Sequence, residues 1–267
     1  MTLIQLTPFD LSLASILVVA LALLSHRLSL GIEGRLLIAA LRTIVQLSLL
    51  GVVLKVLFIQ SHPLLISALA IFMLLVAGYE VMARQQRHFL GIWGMGVGTL
   101  SMFISSFTVT ILALTAIIQA HPWYSVQYLI PLLGMMLGNT MSGIAIALDN
   151  LTHNAWQQRQ NIEARLILGH SWDAAIRDIR RTALRSGLIP IINAMAAAGV
   201  VSLPGMMTGQ ILAGAPPMEA SKYQILIMML IAAGTGFGAT AAVWIGSKRL
   251  FDEREHLRLD RLSQPKS

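Results

Sequence analysis

The sequence predicts an all-α integral membrane protein, a polytopic bundle of about seven transmembrane helices. Three observations carry that expectation. Hydrophobic residues make up 56% of the 267 positions and charged residues only 12%, against about 25% charge in soluble domains. Mean hydropathy is +0.72. The basic residues bunch in alternate loops. So little polar sequence leaves no room for a separate soluble domain. The chain reads as one transmembrane domain, 1–267, including a cytoplasmic loop at 151–186 and a cytoplasmic tail at 247–267.

A helix needs roughly 20 apolar residues to cross a bilayer. Seven runs qualify, at about 11–25, 36–58, 64–83, 92–118, 126–149, 187–203 and 223–246. The first has Asp10 and no basic residue before it, unlike a cleaved signal, and is expected to be retained. The fourth exceeds the hydrocarbon thickness and must tilt or overrun it. The sixth is alanine-rich and ends at Leu203-Pro204-Gly205. The glycine-rich stretch from there to Pro216-Pro217 suits a re-entrant or broken helix.

The basic residues test this map. Arg27 and Arg35 fall in the first loop, and Arg84 and Arg87 in the third. Arg159, Arg165, Arg177, Arg180, Arg181 and Arg185 fall in the fifth; Lys248, Arg249, Arg254, Arg258, Arg261 and Lys266 fall in the tail. The other three are Lys222 in the sixth loop and Arg42 and Lys55 within the second span. Basic residues mark the cytoplasmic side, so the N-terminus lies outside and the C-terminus inside. The net charge of +7 thus follows from topology, and no nucleic-acid partner is expected. The tail reads as a short charged helix or a solvated anchor. With no cysteine, disulfides, thiolate metal sites and cysteine nucleophiles are excluded.

The segment from Asn154 to Arg185 is polar between apolar neighbours. Ile162, Leu166 and Gly169 share one face, and Trp172, Ala175, Ile176 and Ile179 form a second stripe, surrounded by Arg177, Arg180 and Arg181. Gly169 suits a left-handed helix end. Ser171, with Asp173 and Asp178 after it, suits an N-cap and acidic first turn. Two short amphipathic helices at an angle result. Such helices could lie flat on an anionic leaflet or dock a partner, and composition leaves the two level. The chain also lacks Gly-X-X-X-X-Gly-Lys-[Ser/Thr], so any ATP that drives it is bound by another polypeptide.

The spacing Glu163-Ala164-X-X-X-X-Gly169, with Ile179 ten residues on, resembles the EAA motif of ABC-transporter permeases. Arg165 stands at the motif's third position, and no Leu-Pro follows Ile179. The resemblance implies that Glu163, Ala164, Gly169, Trp172, Ile176 and Ile179 couple the membrane helices to a groove on a cytoplasmic ABC ATPase. Two longer blocks, Pro131–Gly143 and Asn193–Pro217, look like signatures of the FetB-type permeases. That family includes membrane subunits of iron-export ABC transporters and plant relatives linked to aluminium tolerance. The resemblance implies a homodimer in the bacterial inner (plasma) membrane exporting iron or another metal ion. It also implies that the chain itself binds no cofactor and is no enzyme, with ATP and Mg expected on the partner subunit.

The two blocks also echo each other. Gly134-Met135-Met136-Leu137-Gly138-Asn139 and Gly205-Met206-Met207-Thr208-Gly209-Gln210 both read Gly-Met-Met-X-Gly-amide. Small residues four apart favour close helix packing, the simpler role. The methionines and amides could instead line an outer vestibule, although thioethers suit Cu(I) better than hard cations.

Near the inner face, Arg42 and Glu80 fall at similar depth, and intramembrane charges usually pair. A structural Arg42–Glu80 bridge is the first expectation. The other is an acidic inner mouth of Glu80 and Asp149, with Asn139 and Asn193 deeper along a cation path. No metal-ligand set can be assigned. The histidines lie in loops, at span ends or in the tail, which argues against a histidine-lined relay. The competing function is a secondary transporter or channel acting without an ATPase, for which inverted repeats are missing.

Overall fold

The computed structural model describes residues 7–60 and 62–264, and these form helices without a named strand. Lys266, counted above in the tail, lies outside the described residues. By internal contacts the chain divides into two units.

The first unit covers residues 1–62 and a short piece at 212–214. Its body is a hairpin of α1 (Pro8–Arg27) and α2 (Glu33–Gln60). Thr7 caps α1, accepting from the Asp10 N–H, while the Asp10 carboxylate accepts from the Thr7 N–H at 2.8 Å. At the other end Ser25 donates to Glu33 at 3.3 Å. The most apolar window of α2 buries none of its residues. An apolar rod exposed in this way is stable only in hydrocarbon or against a partner.

The second unit holds α3 (Pro63–Arg84), a rod from Ile92 to Ile117, α6 (Val126–Gln157), α7 (Arg159–Ile167), α8 (Trp172–Ala197), all but the last residue of α9 (Gly205–Leu212), and α10 (Pro217–Arg249). The rod comprises α4 (Ile92–Met102) and α5 (Thr108–Leu112), each followed by a π turn, Phe103–Phe107 and Ala113–Ile117. Each π turn adds a residue to the local winding and frees a backbone carbonyl from its usual partner.

Among the described residues, six helices are long and apolar enough to cross a membrane. The expected sixth run, 187–203, is not one of them. Residues 187–197 are the second half of α8, whose first half carries Arg177, Arg180, Arg181 and Arg185. The helix ends at Ala197, Ala198 is extended, Gly199 turns with φ +80°, and α9 starts at Gly205. The charged half explains why hydropathy misjudged the element: a single helix of about 39 Å is polar at one end and apolar at the other. The expected break at 204–217 is present as the short α9 and Gly214 at φ +98°.

α8 nevertheless supplies the return leg of the bundle. Gly234 faces Met136 and Gly246 faces Leu148, so α10 runs parallel to α6. Gly187 meets Gly143 and Ala147, with no room between them: a Cβ on Gly187 would lie 2.6 Å from the Gly143 carbonyl oxygen. The glycines let these backbones touch. The core lies where α3, α6, α8 and α10 converge, around Val81, Met102, Ile144, Leu148, Ile176 and Val243.

Candidate functional site

The polar knob forms as its local chemistry dictates. α6 gives way at Gln158 to α7, and Gly169 takes φ +86°, the left-handed value that a side chain resists. The Ser171 hydroxyl accepts from the Ala174 N–H at 3.4 Å and starts α8. Arg165, the departure from the motif, ties the two helices together. Its guanidinium meets Asp178 at 3.0 Å and the Ala175 carbonyl at 3.4 Å. A crevice of 310 Å³ between the helices is lined by Ile162, Ala164, Arg165, Leu168 and Asp178 among others.

The apolar positions divide into two sets. Ile162, Ala175, Ile176 and Ile179 are buried in this chain's own core. Ile176 and Ile179, assigned above to ATPase contact, therefore anchor the knob and do not present a surface. The spacing showed an apolar face but not what covers it. Ile167 and Leu168, passed over in sequence, stand 85% and 78% exposed at the turn, beside exposed Glu163, Ala164 and Gly169. The Glu163 side chain makes no hydrogen bond or ion pair among the described residues. Trp172 is half-buried, its ring 5.7 Å from Phe251 and 5.8 Å from the Arg180 guanidinium.

The tail is folded, not solvated. Leu250, Phe251 and Leu262 are buried, and residues 252–263 form a strap across the polar end of the bundle. Glu255 accepts the Trp172 N–H at 3.0 Å. At the far end, Leu90 donates to the Arg261 carbonyl at 2.9 Å and Ser263 to the His88 carbonyl at 2.8 Å. The strap thus joins the knob to the α3–α4 loop. The same loop is held by α6, because Asp149 accepts the Gln86 N–H at 2.7 Å and Thr152 donates to the Arg87 carbonyl at 2.8 Å. Inside the strap Arg258 grips Asp260 through two hydrogen bonds at 2.9 and 2.8 Å, pulling the Asp260 carboxyl down to about 2. The sequence pattern here, charge without apolar periodicity, hid the strap.

The residues expected along a path are placed as follows. Glu80, on α3, sits 3.8 Å from Arg84, and Arg42 is on α2 of the first unit. Asn139 and Asn193 lie on exposed faces of α6 and α8, and Asn139 donates to the Met135 carbonyl at 2.9 Å. The echoed blocks do meet: Met135, Met206 and Gln210 line one cavity of 190 Å³ with Tyr128 and Tyr223. The Gln210 side-chain amide oxygen is buried without a hydrogen-bond partner. Met136 is fully buried and packs on Gly234, and Met207 contacts Ser221. No group of three or more His, Asp or Glu side chains able to hold a metal occurs among the described residues.

Sequence reasoning missed one set of polar groups. Ser101, Ser105, Ser106, Thr110, Thr140 and Thr235 are buried with hydroxyl oxygens that lack hydrogen-bond partners. They come from the first π turn and its flanks, α6 and α10. Ser105 and Thr140 both press on Gly238, each 2.7 Å from where its Cβ would stand. Buried polar groups are usually satisfied, so this seam is the least settled part of the core. The hydroxyls on the fourth span at spacings of one to five were the only available signal.

Comparison with known proteins follows the same lines. The model of the UPF0014 family, described as an uncharacterised protein family, matches residues 8–251. A UPF0014 membrane protein of Synechocystis is 39% identical over 242 residues, covering 89% of this chain and 91% of the relative. The Escherichia coli protein named "Probable iron export permease protein FetB" is 29% identical over 269 residues, covering 97% and 98%. The Arabidopsis protein ALUMINUM SENSITIVE 3 is 33% identical over 225 residues, covering 83% and 80%. No solved structure matches the chain.

Proposed function

The chain belongs to the UPF0014 family of multi-pass membrane proteins, and from that premise we propose that it is the transmembrane subunit of an ABC transporter. A separate cytoplasmic ATPase, carrying ATP and Mg, docks on the knob. The carrying observation is the knob's construction. Apolar Ile167 and Leu168 project from a turn that Arg165, Asp178 and the buried Ile176 and Ile179 hold rigid. Exposed apolar residues on a polar, braced tip are suited to a pocket on a partner. The knob is also tied to the bundle through one long helix, α8. A push on the tip is carried along α8 to Gly187 and the apolar half of the helix.

A homodimer fits the exposed amides. Asn139 and Asn193 sit on faces that would otherwise meet hydrocarbon, where a polar side chain needs a partner. A second copy would cover these faces and enclose a path between them. Along that path we place Glu80 and Asp149 toward the knob end and Met135, Met206 and Gln210 toward the opposite end, with Met136 and Met207 packed behind them. The cargo is a metal ion, iron in the first instance, as the name of the Escherichia coli relative suggests. In this chain, export rests on that likeness alone.

Co-expression with candidate cytoplasmic ATPases tests the proposal. A stable complex with two copies of each subunit and metal-stimulated ATP hydrolysis is the expected result. A purified chain that moves metal ions across vesicles without any ATPase would overturn it.

A further inference from the structure

A cleft of 630 Å³ opens between the start of α4 and the end of α10. Its walls include Trp93, Trp244, Lys248, Arg249, Arg254 and Arg261. We propose that this cleft binds the headgroup of an anionic phospholipid, with the acyl chains running along α4 and α10.

Charge is the first argument. Lys248, Arg249, Arg254 and Arg261 form no side-chain ion pair with a carboxylate among the described residues. The Arg249 Nε is buried and has no hydrogen-bond partner. Two carboxylates also line the cleft, Asp252 and Glu253. Asp252 is already committed: it accepts the N–H groups of Arg254 at 3.0 Å and His256 at 2.8 Å, and lies 3.9 Å from Arg258. Glu253 is the other carboxylate of the lining. Of the four cations, Arg261 is held by the Arg249 and Phe251 carbonyls at 2.8 and 3.1 Å, which leaves Lys248, Arg249 and Arg254 as the cations open to a ligand. A buried, unpartnered guanidinium edge is costly and calls for an anion that the chain does not supply.

Shape is the second argument. Trp93 and Trp244 are 44% and 53% exposed, as amphipathic rings are at a membrane–water boundary. The Arg249 guanidinium lies 4.8 Å from the Trp93 ring and the Lys248 ammonium 5.7 Å from Trp244. From Lys248 an exposed stripe runs back along α10 through Trp244 to Phe237, at spacings of four and seven. A second runs from Trp93 to Leu100 and Ile104 on the rod. Cations at one end and two apolar tracks leading away from them match the order of charge and chain in a phospholipid. A free phosphate would use the cations and leave the tracks unused. The site is independent of the cargo and of any ATPase.

Native mass spectrometry of the purified full chain in neutral detergent tests this, with phosphatidylglycerol, phosphatidylcholine of equal chain length and inorganic phosphate as probes. Retained phosphatidylglycerol adducts and no retained phosphatidylcholine are expected. Millimolar inorganic phosphate should not displace the lipid. Lys248→Gln and Arg254→Gln, both at exposed positions, should each weaken retention about fivefold. Arg249→Gln should weaken it further; if that variant fails to fold, the exposed pair decides. Equal retention of both lipids, displacement by inorganic phosphate, no adduct at all, or undiminished retention in the exposed double variant would each overturn the proposal. Capture of an acidic protein segment in place of lipid would do the same.

Discussion

Arg165 and Asp178, thirteen residues apart in the chain, meet at 3.0 Å across the turn of the knob. Both are exposed, so the pair contributes about 0.2–1 kcal/mol to stability. Its effect is on geometry, because it sets the angle between α7 and α8. Asp178→Ala should leave expression and thermal stability almost unchanged. It should speed amide hydrogen exchange across 159–170 and lower partner-coupled ATP hydrolysis. The exchange of charges, Arg165→Asp with Asp178→Arg, should restore both. Slow exchange in Asp178→Ala would show that the buried Ile176 and Ile179 fix the knob alone.

Gly187 rests against the Gly143 backbone, and no shift of a flexible side chain can make space there. Gly187→Val should destabilise the protein by about 1–3 kcal/mol, read as a lower melting temperature in detergent. Gly236, also helical, has nothing within 4 Å of a built Cβ. Gly236→Ala should be neutral or stabilising by up to about 1 kcal/mol. Equal melting temperatures for the two variants would contradict the close crossing of α6 and α8.

These two relationships show what the sequence made legible. Gly169 and Ser171 were readable because a left-handed turn and an N-cap depend on nearest neighbours. The Gly-Met-Met-X-Gly-amide echo was readable as a pattern, and Met135 and Met206 do share a cavity. Ile176 and Ile179 lie within this chain's own core, which the spacing could not show, since periodicity defines a face and not its cover. The span at 187–203 was read as separate because a hydropathy window cannot join a charged half-helix to an apolar one. The strap is built from backbone hydrogen bonds to His88 and Leu90, distant in sequence, and no local signal announces them.

The strap should respond to acid. Asp260 is held at about 2, mainly by its hydrogen bonds to Arg258, and Asp252 is lowered chiefly by the His256 N–H. Both carboxyls are thus depressed from their ordinary value of 3.8. Their stabilisation is complete above that value and is lost as pH falls toward the folded-state value. A spin label at Gln264→Cys should keep constant mobility from neutral pH down to about pH 4 and become mobile below it. Release already near neutral pH would contradict the assignment to these two carboxyls.

Orientation can be read directly, because the chain has no cysteine. The proposed orientation puts Val201, 84% exposed beyond α8, outside and Gln160, at the start of α7, inside. An impermeant maleimide added to intact cells should label Val201→Cys and spare Gln160→Cys. The reverse pattern would invert the membrane orientation and move the knob out of reach of any cytoplasmic ATPase.

The central claim is that the knob tip touches a separate ATPase. Site-specific photo-crosslinking from Leu168, the exposed apolar residue at the turn, measures this most directly. The account predicts a crosslinked product containing one copy of this chain and one cytoplasmic protein with a phosphate-binding Gly-X-X-X-X-Gly-Lys-[Ser/Thr] loop. The product should disappear when the same probe is carried on a Glu163→Lys background. Crosslinks to lipid alone, in both backgrounds, would contradict the account and return the knob to an amphipathic hairpin lying on the membrane surface.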